Sequence, residues 1–197
     1  PYSPNRRFIK STLFILTYQK STNDLIVRAE TVYKKYQDLI KTVPTNYYYG
    51  VYNNSGDGYA KGIEFFWRDK KTIKNFDYWV SYSYLDTKRD YLNYPQQLQP
   101  DFAANHTVSL VTKRFFTDIK TGFNFTYSYA TGRPYYNFLY NRMDNKYTIA
   151  DRGETKDFHN LGFSMNYVPS IGKTNPKVFW VLVASVTNVL GYDAVYG

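Results

Sequence analysis

The stretch GDGYAKG at 56–62 is the part of this sequence that looks most like a phosphate-binding loop. A dinucleotide-binding glycine loop must follow a strand and open a helix, because the helix N-terminus supplies the amides that hold the phosphate. Here IEFFWRD follows instead, with the alternation of a strand. The glycines are expected to serve a loop-to-strand entry, where they permit positive φ and close approach of neighbouring strands. The chain has two histidines, His106 and His159, and neither has a Cys, Asp or Glu at a ligand spacing that would define a metal site. They read as ordinary strand residues, and no metal or cofactor is expected. The carboxylate pairs Asp86/Asp90 and Asp151/Glu154 fall in or beside long loops, and no nucleophile-elbow pattern accompanies them. A hydrolase would have to be built on those four groups, and nothing around them supplies the rigid shell catalysis needs. The reading is therefore of a protein that is not an enzyme.

Recognition is the chemistry that remains. Three stretches, NYYYGVYNN (46–54), RDYLNYPQQLQPD (89–101) and GRPYYNFLYNRMDNKY (132–147), concentrate tyrosines whose faces stack on sugars or flat ligands, with Arg and Asn as hydrogen-bond donors. The same residue types also build any folded surface loop. Arg133, Tyr135, Tyr136, Tyr47 and Tyr48 are the candidate ligand-binding groups.

The elements that must position these loops are strands. Apolar residues recur with a period of two from end to end, and no stretch holds a helical period over a helical length. The pattern predicts strands at about 9–20, 24–37, 58–69, 76–87, 104–115, 119–130, 157–168 and 177–188. Short connections (21–24, 69–75, 116–119, 169–176) alternate with long ones (38–57, 87–103, 131–156). A transmembrane barrel has that alternation, with short turns at one rim and long loops at the other. In 121–130, Phe123, Phe125, Tyr127 and Tyr129 alternate with Gly122, Asn124, Thr126 and Ser128, which sets a lipid side against a wet side. On the same logic Leu25, Val27, Ala29, Tyr33, Ile63, Phe65 and Trp67 face lipid. Arg28, Glu30, Glu64 and Arg68 face the lumen, since a lipid-facing Arg or Lys at mid-depth costs about 2–4 kcal/mol. VFWVLVASV (178–186) is apolar on both faces and needs a cover for its inner side.

Composition agrees. The 197 residues include 23 tyrosines and no cysteine, and the chain is polar on average despite 20% aromatics. Its longest apolar run, Val178–Ala184, is far short of the roughly 20 residues of a membrane-spanning helix, whereas a barrel strand needs only about 9–11. The net charge of +9 is scattered over turns and strand ends without a dense basic stripe, so no nucleic-acid partner is expected. The opening PYSPNRRFIK has no apolar signal segment.

GDGYAKGIEFFWRD, FDYWVSYSYLDTKRDYLNYP, FNFTYSYATGRPYYN and VASVTNVLGYDAVYG, in that order and spacing, resemble the late barrel strands of TonB-dependent outer-membrane receptors of the Bacteroidetes type. The resemblance covers most of the chain and is clearest over 30–197. It implies a 22-stranded barrel closed by a plug, located in the outer membrane of a Gram-negative bacterium. Such a receptor imports an iron chelate, vitamin or glycan with energy delivered by TonB through the plug. It also implies outer-membrane lipid as a partner, and a single partial barrel domain over 1–197 with plug and final strands absent. The plug would cover the apolar inner side of the last strand. Two alternatives stay open: a small eight-stranded barrel closed on itself, whose small inward residues would fill its interior poorly, and an adhesin-like module presenting its Tyr-rich loops.

Overall fold

The computed structural model describes residues 8–43, 51–172 and 178–193. The described residues form strands, turns and loops, without a helix. Among the described residues there are ten strands: β1 (Lys10–Ser21), β2 (Leu25–Val43), β3 (Val51–Asp69), β4 (Phe76–Asp90), β5 (His106–Phe116), β6 (Thr121–Ala130), β7 (Pro134–Asn141), β8 (Lys146–Glu154), β9 (Phe158–Tyr167) and β10 (Leu182–Val186). Eight of them make one antiparallel sheet in the order β1-β2-β3-β4-β5-β6-β9-β10, and β7 and β8 pair separately as a hairpin inserted between β6 and β9. Among the described residues β1 and β10 do not pair with each other, so the sheet is an open wall. The closed eight-stranded barrel is not the form it takes.

Cross-strand register decides which residues share a face, because directly opposed residues in an antiparallel pair point the same way. Val27 opposes Trp67, Trp67 opposes Val80, Val80 opposes Leu110, Leu110 opposes Tyr127 and Tyr127 opposes Leu161. Ile63, Phe65, Phe123, Phe125 and Phe163 fall on the same side, so one face is apolar across the sheet. The opposite face carries Ser81 against Ser109, Ser109 against Ser128, and Ser128 against Asn160. Arg28, Glu30, Glu64 and Arg68 all lie on this polar face, together with Phe66 and Trp79. On β3 the apolar run is bounded by Lys61 and Asp69. Eight steps at about 3.4 Å give about 27 Å along the strand, a length that suits a tilted membrane-crossing strand.

The structure departs from the predicted elements at the loop end. The connection expected at 38–57 is largely strand, since β2 runs to Val43 and β3 starts at Val51. Period-two patterning failed there because QDLIKTV and VYNNSGDG do not alternate apolar with polar residues. A bulge at Tyr36/Leu39, with Asp38 at φ 59°, bends β2 as it leaves the two-faced region. Within β3 the glycines act through close approach rather than positive φ: a Cβ on Gly58 would lie 2.5 Å from the Lys88 carbonyl oxygen of β4. The last strand is shorter than predicted, beginning at Leu182, with Val178–Val181 running irregularly before it.

A wall with two open faces has no core of its own. The buried apolar side chains Leu39, Tyr94, Leu98 and Ala103, with fully buried Pro100, lie instead where the 91–103 loop folds onto the upper parts of β2 and β4. Backbone bonds fix that loop: the Thr42 amide donates to the Leu92 carbonyl at 2.8 Å, and the Arg89 amide to the Leu98 carbonyl at 2.8 Å.

Candidate functional site

The β7–β8 hairpin stands on a base built from five polar contacts. The Thr131 hydroxyl accepts from the Asn105 and His106 amides (3.0 and 3.1 Å), and the Thr131 amide donates to the His106 carbonyl at 3.0 Å. Asp157 accepts from the Tyr129 hydroxyl at 2.7 Å and from the Gly132 amide at 2.9 Å. The Tyr129 hydroxyl, followed by the Gly132 amide, holds the Asp157 carboxyl below the usual carboxylate range, because both bonds favour its charged form. Position 132 admits only glycine, since a Cβ there would overlap the Thr155 carbonyl.

Aromatic rings dock the hairpin onto the neighbouring loop. Tyr94, 7% exposed, meets Tyr91 at a ring-centroid distance of 4.9 Å, Phe138 at 5.4 Å and Tyr136 at 5.9 Å, and Tyr136 stacks on Phe138 at 5.9 Å. Burial pushes the phenols of Tyr94 and Tyr136 above their ordinary values, so both are neutral hydrophobic anchors at physiological pH. Beneath them Arg89 lies 4.5 Å from the Tyr36 ring centroid and 5.3 Å from that of Phe102, and Lys41 pairs with Asp90 at 2.5 Å. The two loops thus form one platform over β2–β4.

Of the residues singled out for ligand contact, the structure separates the neighbours. Tyr136 is engaged in the docking cluster, whereas Tyr135, one residue earlier on β7, is 43% exposed and lies over Gly153. Arg133 lines a cleft of about 830 Å³ at the hairpin base, together with Glu154, Lys156, Asp157, Tyr192 and Asp193. Among the described residues, neither Arg133 nor Lys156 is held in an ion pair. The cleft therefore sets two cationic donors and an aromatic ring beside three carboxylates, Glu154, Asp157 and Asp193, a lining for a ligand with both acceptor and donor groups. Tyr47 and Tyr48 lie outside the described residues.

The polar-face candidates are partly spent on one another. Arg68 donates from Nε and Nη2 to the two Asp77 oxygens at 2.8 and 2.6 Å and lies 5.4 Å from the Trp79 ring centroid, with Lys113 at 4.9 Å from the same ring. Glu30 accepts from the Thr17 hydroxyl at 2.8 Å and sits directly opposite Glu64, and Arg28 lies 5.9 Å from the Phe66 ring. The four carboxylates weighed for catalysis are dispersed. Asp86 pairs with Lys61 at 3.2 Å, Asp90 with Lys41, and Asp151 accepts from the Arg152 amide at 2.8 Å, while Glu154 lies at the cleft. No cluster able to hold a metal ion occurs among the described residues.

Two features were not legible in the sequence. The histidines are placed alike on the apolar face at its loop end. The Tyr82 phenol oxygen lies 2.9 Å from Nδ1 of His106, and that of Tyr127 lies 2.8 Å from Nδ1 of His159. Tyr84 and Tyr129 pack against the same two rings at 5.0 and 5.1 Å. Each unit joins a Tyr-x-Tyr strand to a histidine on the next strand, a signal visible only once the register is known. The second feature is the role of Tyr94, whose partners come from a hairpin some forty residues later in the chain.

No family model and no curated protein matches the sequence. The fold does have solved counterparts. It resembles the outer membrane transporter YddB from Escherichia coli with a TM-score of 0.68 at 15% identity, covering 94% of this chain and 29% of that one. It also resembles the FrpB iron transporter from Neisseria meningitidis (F3-3 variant), with a TM-score of 0.65 at 12% identity, covering 85% of this chain and 25% of that one. The chain thus spans under a third of the length of either transporter, and shares with them the architecture of a barrel wall.

Proposed function

We propose that this chain is a section of wall in a larger outer-membrane barrel of the TonB-dependent receptor kind, one that takes up a scarce nutrient across the outer membrane of a Gram-negative bacterium. The observation that carries the reading is the two-faced sheet. One side is apolar from β2 to β9 apart from Arg114 near one end and His106 and His159 near the other, and the other side is lined by Ser, Thr, Asn and Gly with a few charges. A soluble sheet with that apolar face would need a second layer to cover it, and in a membrane lipid is the cover. The small polar side leaves room for contents, which suits a wide barrel better than a self-filled one. Likeness to the walls of outer-membrane transporters supports the same reading.

On this reading Arg28, Glu30, Glu64 and Arg68 face the lumen, and the 91–103 loop and the β7–β8 hairpin form part of the outer entrance. Arg133 and Tyr135, with Lys156, are the groups that meet the ligand, and TonB acts through a plug outside this stretch. The ligand is an iron chelate, a vitamin or a glycan. Uptake of labelled iron chelates, cobalamin and oligosaccharides by cells with and without the gene, in TonB-competent and TonB-deficient backgrounds, tests the proposal. TonB-dependent loss of one class is expected. Unchanged uptake of all three would refute it.

A further inference from the structure

The apolar face carries one arginine deep in its aromatic surface at the short-turn end. Arg114 on β5 opposes Phe76 on β4 and Phe123 on β6, so the register puts it on the apolar side, two residues before β5 ends. Its guanidinium carbon lies 4.8 Å from the Phe76 ring centroid and 4.3 Å from that of Phe116. Phe116 packs on Phe123 at 5.7 Å, and Phe123 stacks on Phe163 at 5.9 Å, which extends the aromatic surface over four strands. The Nε atom is buried without a hydrogen-bond partner, and among the described residues no carboxylate pairs with this side chain. On the neighbouring strands Asp77 is committed to Arg68 on the other face and Asp69 to the Lys71 and Thr72 amides and the Thr72 hydroxyl, while Asp118 in the β5–β6 turn makes no ion pair with Arg114 among the described residues.

A guanidinium held against aromatic rings keeps its in-plane N–H groups for an anion, and the fork they make matches two phosphate oxygens. Aromatic residues mark the membrane interface, and long cationic side chains near a membrane boundary turn their charge toward the headgroups. We propose that Arg114 and its phenylalanines form a binding site for the phosphate of a bilayer phospholipid in the leaflet next to the short turns. This rests on the membrane reading of the apolar face given above. The site ties the wall to its lipid annulus at one depth, since phenylalanine rings enter the acyl region while the charge stays at the phosphate.

The intact protein of which this chain is proposed to be a wall section, purified in detergent, is titrated with phosphatidylglycerol and, separately, with inorganic phosphate, and bound lipid is counted by native mass spectrometry. Wild type is expected to retain phosphatidylglycerol, Arg114→Leu to bind it about tenfold more weakly, and Arg114→Lys to fall between. Phe116→Leu, which keeps the charge and removes one ring, is expected to weaken binding as well. Equal retention by wild type and Arg114→Leu overturns the site, as does displacement of the lipid by millimolar inorganic phosphate, which would mark a free-anion site. Heat-modifiable migration of each variant shows whether the fold survives. If the intact wild-type protein itself fails to enter detergent micelles as a folded barrel, the membrane reading falls and the lipid site with it. If it does enter them and Arg114→Leu binds normally, only the lipid site falls.

Discussion

Replacing Tyr94 with alanine should release the β7–β8 hairpin from the loop platform while leaving the wall intact. A tyrosine side chain buries roughly 150–250 Å², and this one is 7% exposed. At about 25 cal/mol per Å² the lower figure corresponds to almost 4 kcal/mol, and allowing for the polar hydroxyl and partial collapse of the site leaves about 3 kcal/mol. That is about a hundredfold in the equilibrium for opening the platform. The loss is local because the ring's partners, Tyr91, Tyr136 and Phe138, all belong to the two loops. Hydrogen exchange read by mass spectrometry on the full chain provides the assay. Peptides over 89–103 and 134–154 should exchange about a hundredfold faster in Tyr94→Ala, while those over β5 and β6 keep their wild-type protection. Tyr94→Phe, which keeps the ring, should stay close to wild type. Unchanged protection over 134–154 would refute the idea that this ring docks the hairpin. Equal acceleration in β5 and β6 would show instead that Tyr94 supports the sheet as a whole.

Two further outcomes follow from the geometry. Gly58→Ala places a Cβ 2.5 Å from the Lys88 carbonyl oxygen and 3.0 Å from the Arg89 Cα, so β3 and β4 must part at a cost of about 1–3 kcal/mol; an unfolding midpoint in denaturant equal to that of wild type would sink this account of the glycine. The base of the hairpin should weaken in acid: the Asp157 carboxyl is depressed by the Tyr129 hydroxyl and the Gly132 amide, so its stabilisation is complete above the ordinary carboxylate value of about 3.9 and fades as pH falls through the lower folded value. Protease cleavage at 131–133, followed between about pH 5 and pH 2, should rise in wild type and lose most of that dependence in Asp157→Asn, and identical profiles would remove Asp157 from the role.

What the sequence determined by itself is local. Alternation in 121–130 and 58–69 is a property of neighbouring residues, because a strand points successive side chains to opposite faces. The two faces and the side on which Arg28, Glu30, Glu64 and Arg68 lie could be read that way, whereas the long connection expected at 38–57 proved to be mostly strand. Tertiary structure decided whatever depends on partners distant in the chain. The β7–β8 hairpin was hidden inside a predicted loop because its strands pair only with each other and not with the wall. Tyr135 and Tyr136 are adjacent and chemically alike, yet one is open and the other is fastened to Tyr94, a difference made by which face of β7 meets the 91–103 loop. Arg114 reads from sequence as one more scattered cation. Only the register of β4, β5 and β6 sets it among phenylalanines on the apolar face, since the side a residue faces relative to other strands is settled by pairing between segments and not by the segment alone.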